Sequence, residues 1–195
     1  EIVPAYEGFV TASYNKINYD SGLDDAGVNR DSDGYAVTAG TRIDLSGSVT
    51  GDVSIGYLRQ DYDDATLENI TGPTVGAALT WNVTNLTTLK GSVDRTISQT
   101  TQAGASASLT TKIGGSVDHE LRRNVLLGGN LSGSTQKYRG NGREDDLYVA
   151  CAYARYLLNR SFNVSANYDF SRKNSNAANS SYSQNVFLIR LTAQY

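Results

Sequence analysis

The sequence predicts an all-β protein: a transmembrane antiparallel up-and-down β-barrel with about ten strands. Three observations carry that expectation. Ten segments alternate apolar and polar residues with a period of two, the period of a strand. The connections between them alternate in length. The aromatic residues gather near segment ends on the apolar side, where membrane interfaces enrich Trp and Tyr.

The first segment, about Tyr6 to Asn15, sets Tyr6, Gly8, Val10, Ala12 and Tyr14 on one face. The second, about Tyr35 to Leu45, does the same with Tyr35, Val37, Ala39, Thr41, Ile43 and Leu45. The third, near Val53 to Gln60, shows Val53, Ile55 and Tyr57; the fourth, near Thr74 to Val83, shows Val75, Ala77, Leu79, Trp81 and Val83. The fifth shows Leu89, Gly91, Val93 and Ile97, with Arg95 out of pattern. The sixth, Ala105 to about Asp118, shows Ala107, Leu109, Ile113 and Val117, and the seventh Val125, Leu127, Gly129 and Leu131. In the eighth, Leu147, Val149, Cys151 and Tyr153 are expected on the lipid side. The ninth shows Phe162, Val164, Ala166, Tyr168 and Phe170. The tenth, Ser183 to Tyr195, shows Phe187, Ile189, Leu191, Ala193 and Tyr195.

Connections after odd segments, such as Asp20–Gly34 and Asp61–Gly72, are mostly long; those after even segments, such as Thr84–Thr88 and Glu120–Asn124, are short. Long loops on one side and tight turns on the other are the layout of outer-membrane barrels, with the turns in the periplasm. Residues 1–195 are therefore expected to form a single barrel in a bacterial outer membrane. No apolar run reaches the roughly 18 residues of a membrane helix. The low apolar content, 39%, does not oppose a barrel, whose strands carry a weak hydropathy signal each. The chain contains no Met, so it is expected to be processed or cut from something longer. The net charge of −3 argues against a nucleic-acid partner, which would require a basic stripe.

The lipid-facing aromatic girdle is expected to include Tyr6, Tyr35, Trp81, Phe162, Tyr168 and Tyr195. The opposite face is expected to line the lumen, with Arg42, Asp44, Lys90, Asp94, Lys112, Asp118, Asp169 and Arg190 as its principal charges. Ionisable groups at membrane depth survive only paired or in water, so these either pair across the lumen or act on a passing solute. Gly40, Gly56, Gly76, Ala78, Ser92, Gly114, Ser116, Gly128, Ser132, Ala150, Ala152 and Ala154 are expected among them. Such small residues leave a wet passage or a gap, and the same lining equally suits one wall of a wider pore.

Catalytic chemistry is not expected. Asp118 and His119 are adjacent, but the chain has no second His and no GxSxG-type nucleophile setting. Cys151 is alone, so neither a disulfide nor a metal site is anticipated, and no cofactor is implied. The outer connections are acidic, with Asp20, Asp24, Asp25, Asp31 and Asp33 in the first, but none has the EF-hand pattern. Lys137, Arg139, Arg143, Arg172 and Lys173 are either ordinary charges of solvated loops or a set that meets lipopolysaccharide phosphates.

Three stretches carry a resemblance: Asn29-Arg30-Asp31-Ser32-Asp33-Gly34-Tyr35, Gly56-Tyr57-Leu58-Arg59-Gln60-Asp61-Tyr62 and Asp118-His119-Glu120-Leu121-Arg122-Arg123-Asn124. With Tyr156–Arg160 they resemble the beta-barrel porin type 2 family of Gram-negative outer membranes, and the similarity covers almost the whole chain. The resemblance implies a barrel associated with exopolysaccharide production or export. Members are generally longer, with further strands before the matched region, so the chain is expected to be either a whole barrel or the C-terminal part of a larger one. Besides outer-membrane lipid and lipopolysaccharide, the implied partners are a polysaccharide and the barrel assembly machinery, whose recognition signal the last segment resembles. A structural or adhesive barrel with an occluded lumen, acting through its acidic loops, is the alternative.

Overall fold

A computed structural model of the chain describes residues 5–20, 22–23, 27–45, 47–100, 102 and 104–193. Ten strands follow one another: β1 Tyr6–Ile17, β2 Ser32–Leu45, β3 Val49–Tyr62, β4 Ile70–Thr84, β5 Thr87–Gln99, β6 Ala107–Arg122, β7 Val125–Arg139, β8 Glu144–Leu157, β9 Phe162–Ser175 and β10 Tyr182–Ala193. They form one antiparallel up-and-down sheet in sequence order, and the described residues contain no helix. β1 and β10 each have a single neighbour, so the sheet is open. The connections alternate as expected: residues 18–31, 63–69, 100–106, 140–143 and 176–181 join strands at one end, and 46–48, 85–86, 123–124 and 158–161 at the other. The first group marks the outer end, the second the turn end.

The strands run 12 to 16 residues, and most, though not β10, are longer than the segments read from sequence. A bilayer takes roughly 9–11 tilted residues, and the excess lies mostly at the outer end, where the ladder continues through polar residues. Arg59 and Asp61 on β3 illustrate this. They lie two apart on one face and pair at 2.8 Å, a geometry a strand supplies directly.

Register sorts the side chains into two faces. The apolar face carries Val10, Val37, Ile55, Leu79, Ile113, Leu131, Ile189 and Leu191. It is naked: Val10 is 74% exposed, Leu131 68% and Ile113 65%. So large a contiguous apolar surface requires a non-aqueous neighbour. The core of the described residues is correspondingly small. Tyr62, Ile70 and Ala107, packed by Leu67 and Ile97, gather at the outer end.

β8 departs from the sequence-based expectation. Gly128 on β7 faces Tyr153, Ser132 faces Val149 and Asn130 faces Cys151. Leu147, Val149, Cys151 and Tyr153 therefore share the polar face, while Tyr148, Ala150, Ala152, Ala154 and Tyr156 share the apolar one. Both faces of β8 are apolar enough for alternation to mislead; Asp118, with which Tyr153 bonds, decides the orientation.

Candidate functional site

The polar face is assembled by register alone. Arg42 faces Asp52, which faces Ala78; Ala78 faces Ser92, which faces Gly114; Gly114 faces Ser132. Two-residue steps from this row place Asp44, Lys90, Asp94, Lys112 and Asp118 on the same side. Through β8 and β9, Asp169 and Arg190 join them. By register these eight charges lie on one face of the sheet. Tyr6, Tyr35, Trp81, Phe162 and Tyr168 share the opposite face, whereas Tyr195 lies outside the described residues, as do Asp24 and Asp25.

Few of the eight charges pair with each other. Lys90 Nζ lies 3.4 Å from Asp118 Oδ2. Arg42 instead takes Glu7 on β1, at 2.7 Å. Asp44 accepts the Gly47 N–H at 3.0 Å and so holds the β2–β3 turn, where Gly47 has φ +72°. A Cβ is disfavoured at that φ. Lys112 and Asp94 are direct cross-strand partners without an ion pair, and Arg190 has none among the described residues.

Of the eight charges, Asp118 is held by the most partners. Besides Lys90 it accepts a 2.6 Å bond from the Tyr153 hydroxyl, two strands away. The phenol reaches it by lying over Gly128, where a Cβ would stand 2.5 Å from the Tyr153 ring. His119, next in sequence, faces the other side and shares a 2.9 Å hydrogen bond with the Thr87 hydroxyl. Adjacent strand residues point apart, so Asp118 and His119 cannot act on one substrate.

At mid-height the polar face is hollow. A depression of about 390 Å³ is bordered by Ala78, Thr80, Lys90, Ser92, Lys112 and Ser116. Its floor is low because Gly114 carries no side chain and its neighbours are hydroxyls or methyls. Two ammonium groups border it, and Asp118 reaches only one of them.

The outer end is tied differently, and sequence reading missed the ties. Arg30, 8% exposed, donates from Nη1 to Thr100 O at 2.8 Å and to Ala105 O at 3.1 Å. The Tyr62 hydroxyl donates to Ser106 O at 2.7 Å. Asp63 N–H donates to Asp31 O, so the end of the first connection is pinned to the second. The Arg30 and Tyr62 bonds join the ends of strands three or more apart and draw the outer ends of β2 to β6 together. A second knot surrounds Asp145, which pairs with Arg143 at 2.9 Å and Lys173 at 3.0 Å and accepts from the Ser175 hydroxyl. The Asp145 carboxylate raises the Arg143 guanidinium above its usual value, and that cation lies 5.1 Å from the Tyr138 ring centre. Among the described residues no group of His, Cys, Asp and Glu is placed to hold a metal ion.

An up-and-down sheet with one naked apolar face and one charged, small-residue face is the wall of a barrel-forming membrane protein. The chain matches the family described as "Putative beta-barrel porin 2" over residues 1–195, and it belongs to that family. No curated protein matches it.

Proposed function

We propose that the protein forms a passive pore of the bacterial outer membrane, or part of the wall of one, for small polar solutes or an exported exopolysaccharide. The hollow on the polar face carries this reading: a depression of about 390 Å³ bordered by Lys90, Lys112 and small polar residues, at the height where a plugged barrel would be filled. In a closed wall that face becomes the lumen and the apolar face meets lipid. The polysaccharide rests on the family resemblance; the physical features support a wet, mixed-charge lining. Delivery to the membrane requires the barrel assembly machinery.

A second reading has its own observation. The buried Arg30 bridge holds the first connection against the 100–106 connection, across the outer end. A wall so tied supports a barrel with an occluded lumen that acts through its acidic loops. Single-channel recording in planar bilayers separates the two. Discrete current steps from the folded protein support the pore; a folded, inserted protein without current excludes it and leaves the loop-acting barrel.

A further inference from the structure

Arg95 is the one strong exception to the apolar face of β5. Its neighbours across the ladder are Val75 and Thr111, so it points to the naked side. Its Nε is shielded from solvent and has no hydrogen-bond partner. Arg139 reaches the same place from β7, and the two border one small cavity of about 50 Å³ with Thr71, Pro73, Ile97 and Leu109. Other cations of this rim are neutralised: Lys16 by Asp33 at 3.8 Å, Arg59 by Asp61 at 2.8 Å and Lys137 by Glu144 at 3.1 Å. Among the described residues, neither Arg95 nor Arg139 meets a carboxylate. Two guanidinium groups around one cavity repel, and a shielded donor without an acceptor is costly. A bound anion removes both penalties.

The surface beside the cavity indicates what carries that anion. A groove of about 550 Å³ runs over the apolar face between Ile113 and Leu131 on one side and Tyr148 and Phe170 on the other. Gly115, Gly133 and Ala150 keep its floor low. Thr111, the partner of Arg95, is two residues from Ile113 on β6. Two residues along and one strand across is roughly 8 Å, the step from an acylated sugar headgroup to the start of its chain. Arg172 stands on the far rim, across from Tyr148, and its Nε donates to Asn174 Oδ1 at 3.2 Å.

We propose that this part of the apolar face binds a phosphorylated, acylated glycolipid of the outer leaflet, with Arg95 and Arg139 on its phosphate and an acyl chain in the groove. Guanidinium forks match phosphate in a bidentate manner. The leaflet follows from position: the site lies towards the long connections, which the barrel layout places outside. The proposal rests on the reading of the apolar face as lipid-exposed.

The test is native mass spectrometry of the folded protein in micelles, titrated with lipid A, with dephosphorylated lipid A and with phosphatidylglycerol. Wild type should retain one lipid A at least about tenfold more tightly than either other lipid, the worth of one charged hydrogen bond. The Arg95→Gln/Arg139→Gln double variant should lose that preference while still folding, read as the same change of SDS-gel mobility on boiling as wild type. Gly133→Leu, which raises the groove floor, should weaken lipid A and its dephosphorylated form alike. An unchanged preference in the double variant overturns the site, as does equal retention of phosphatidylglycerol. A wild type that folds and stays soluble without detergent overturns the lipid-facing reading itself. A micelle-bound wild type indifferent to lipid A overturns the site alone.

Discussion

The Tyr153 hydroxyl donates a 2.6 Å hydrogen bond to Asp118 Oδ1 from two strands away, and the ring covers Gly128 on the strand between. Three strands are coupled at one point: β6 gives the acceptor, β7 the gap and β8 the donor. The arrangement makes Gly128 and Tyr153 a single unit. Gly128→Ala should cost about 1–3 kcal/mol, because its methyl group meets the ring. Tyr153→Phe should cost about 0.5–1.5 kcal/mol, the worth of one partly exposed hydrogen bond. In the Gly128→Ala/Tyr153→Ala double variant the two losses should sum to less than the separate effects. Urea unfolding of the protein in vesicles measures all of these; strict additivity would refute the unit.

The two faces should tolerate charge differently. Leu79→Arg places a guanidinium on the naked face and should cost roughly 2–4 kcal/mol near mid-bilayer, whereas Thr80→Arg, on the polar face, should be milder. Folding yield into lipid vesicles reports the difference. Equal yields would contradict the assignment of faces.

Arg30 should act at the outer end only. Arg30→Ala leaves the Thr100 and Ala105 carbonyls without their donor, a loss of about 1–3 kcal/mol. If the pore reading holds, it should also raise open-channel conductance by releasing the first connection. Conductance equal to wild type, in a variant that folds, would mean that the bridge does not narrow the passage.

Lys112 borders the hollow without an ion-pair partner among the described residues. In a conducting pore, Lys112→Glu should move the reversal potential in a salt gradient towards cation selectivity. Lys90→Gln should do so less, because Asp118 already offsets Lys90. An unmoved reversal potential in both would remove the hollow from the conduction path.

Much of this architecture is legible in the sequence. Strand number, order and connection lengths follow from the two-residue period and its interruptions, and register brings Arg42 and Arg190 to one face although 148 positions separate them in number. β8 is where the pattern is ambiguous. Leu147, Val149 and Cys151 alternate with Tyr148, Ala150 and Ala152, so neither set is clearly polar. A signal was present in Arg155, which shares a face with Tyr153, and in Tyr148 and Tyr156, which bracket the other face as interfacial aromatics do. Arg30 had no such signal. Its acceptors are backbone carbonyls 70 and 75 residues away, and backbone groups leave no trace in the identity of a residue.

The Arg30 bridge also orders events in time. Every pairing in the sheet is between consecutive strands, so the wall can grow hairpin by hairpin with little loop-closure entropy at each step. The carbonyls that receive Arg30 do not come within its reach until the wall extends from β2 to β6. This bond therefore forms late, and it releases early when the wall unravels. In kinetic experiments Arg30→Ala should hasten unfolding and leave the rate of folding nearly unchanged, the signature of a contact absent from the transition state.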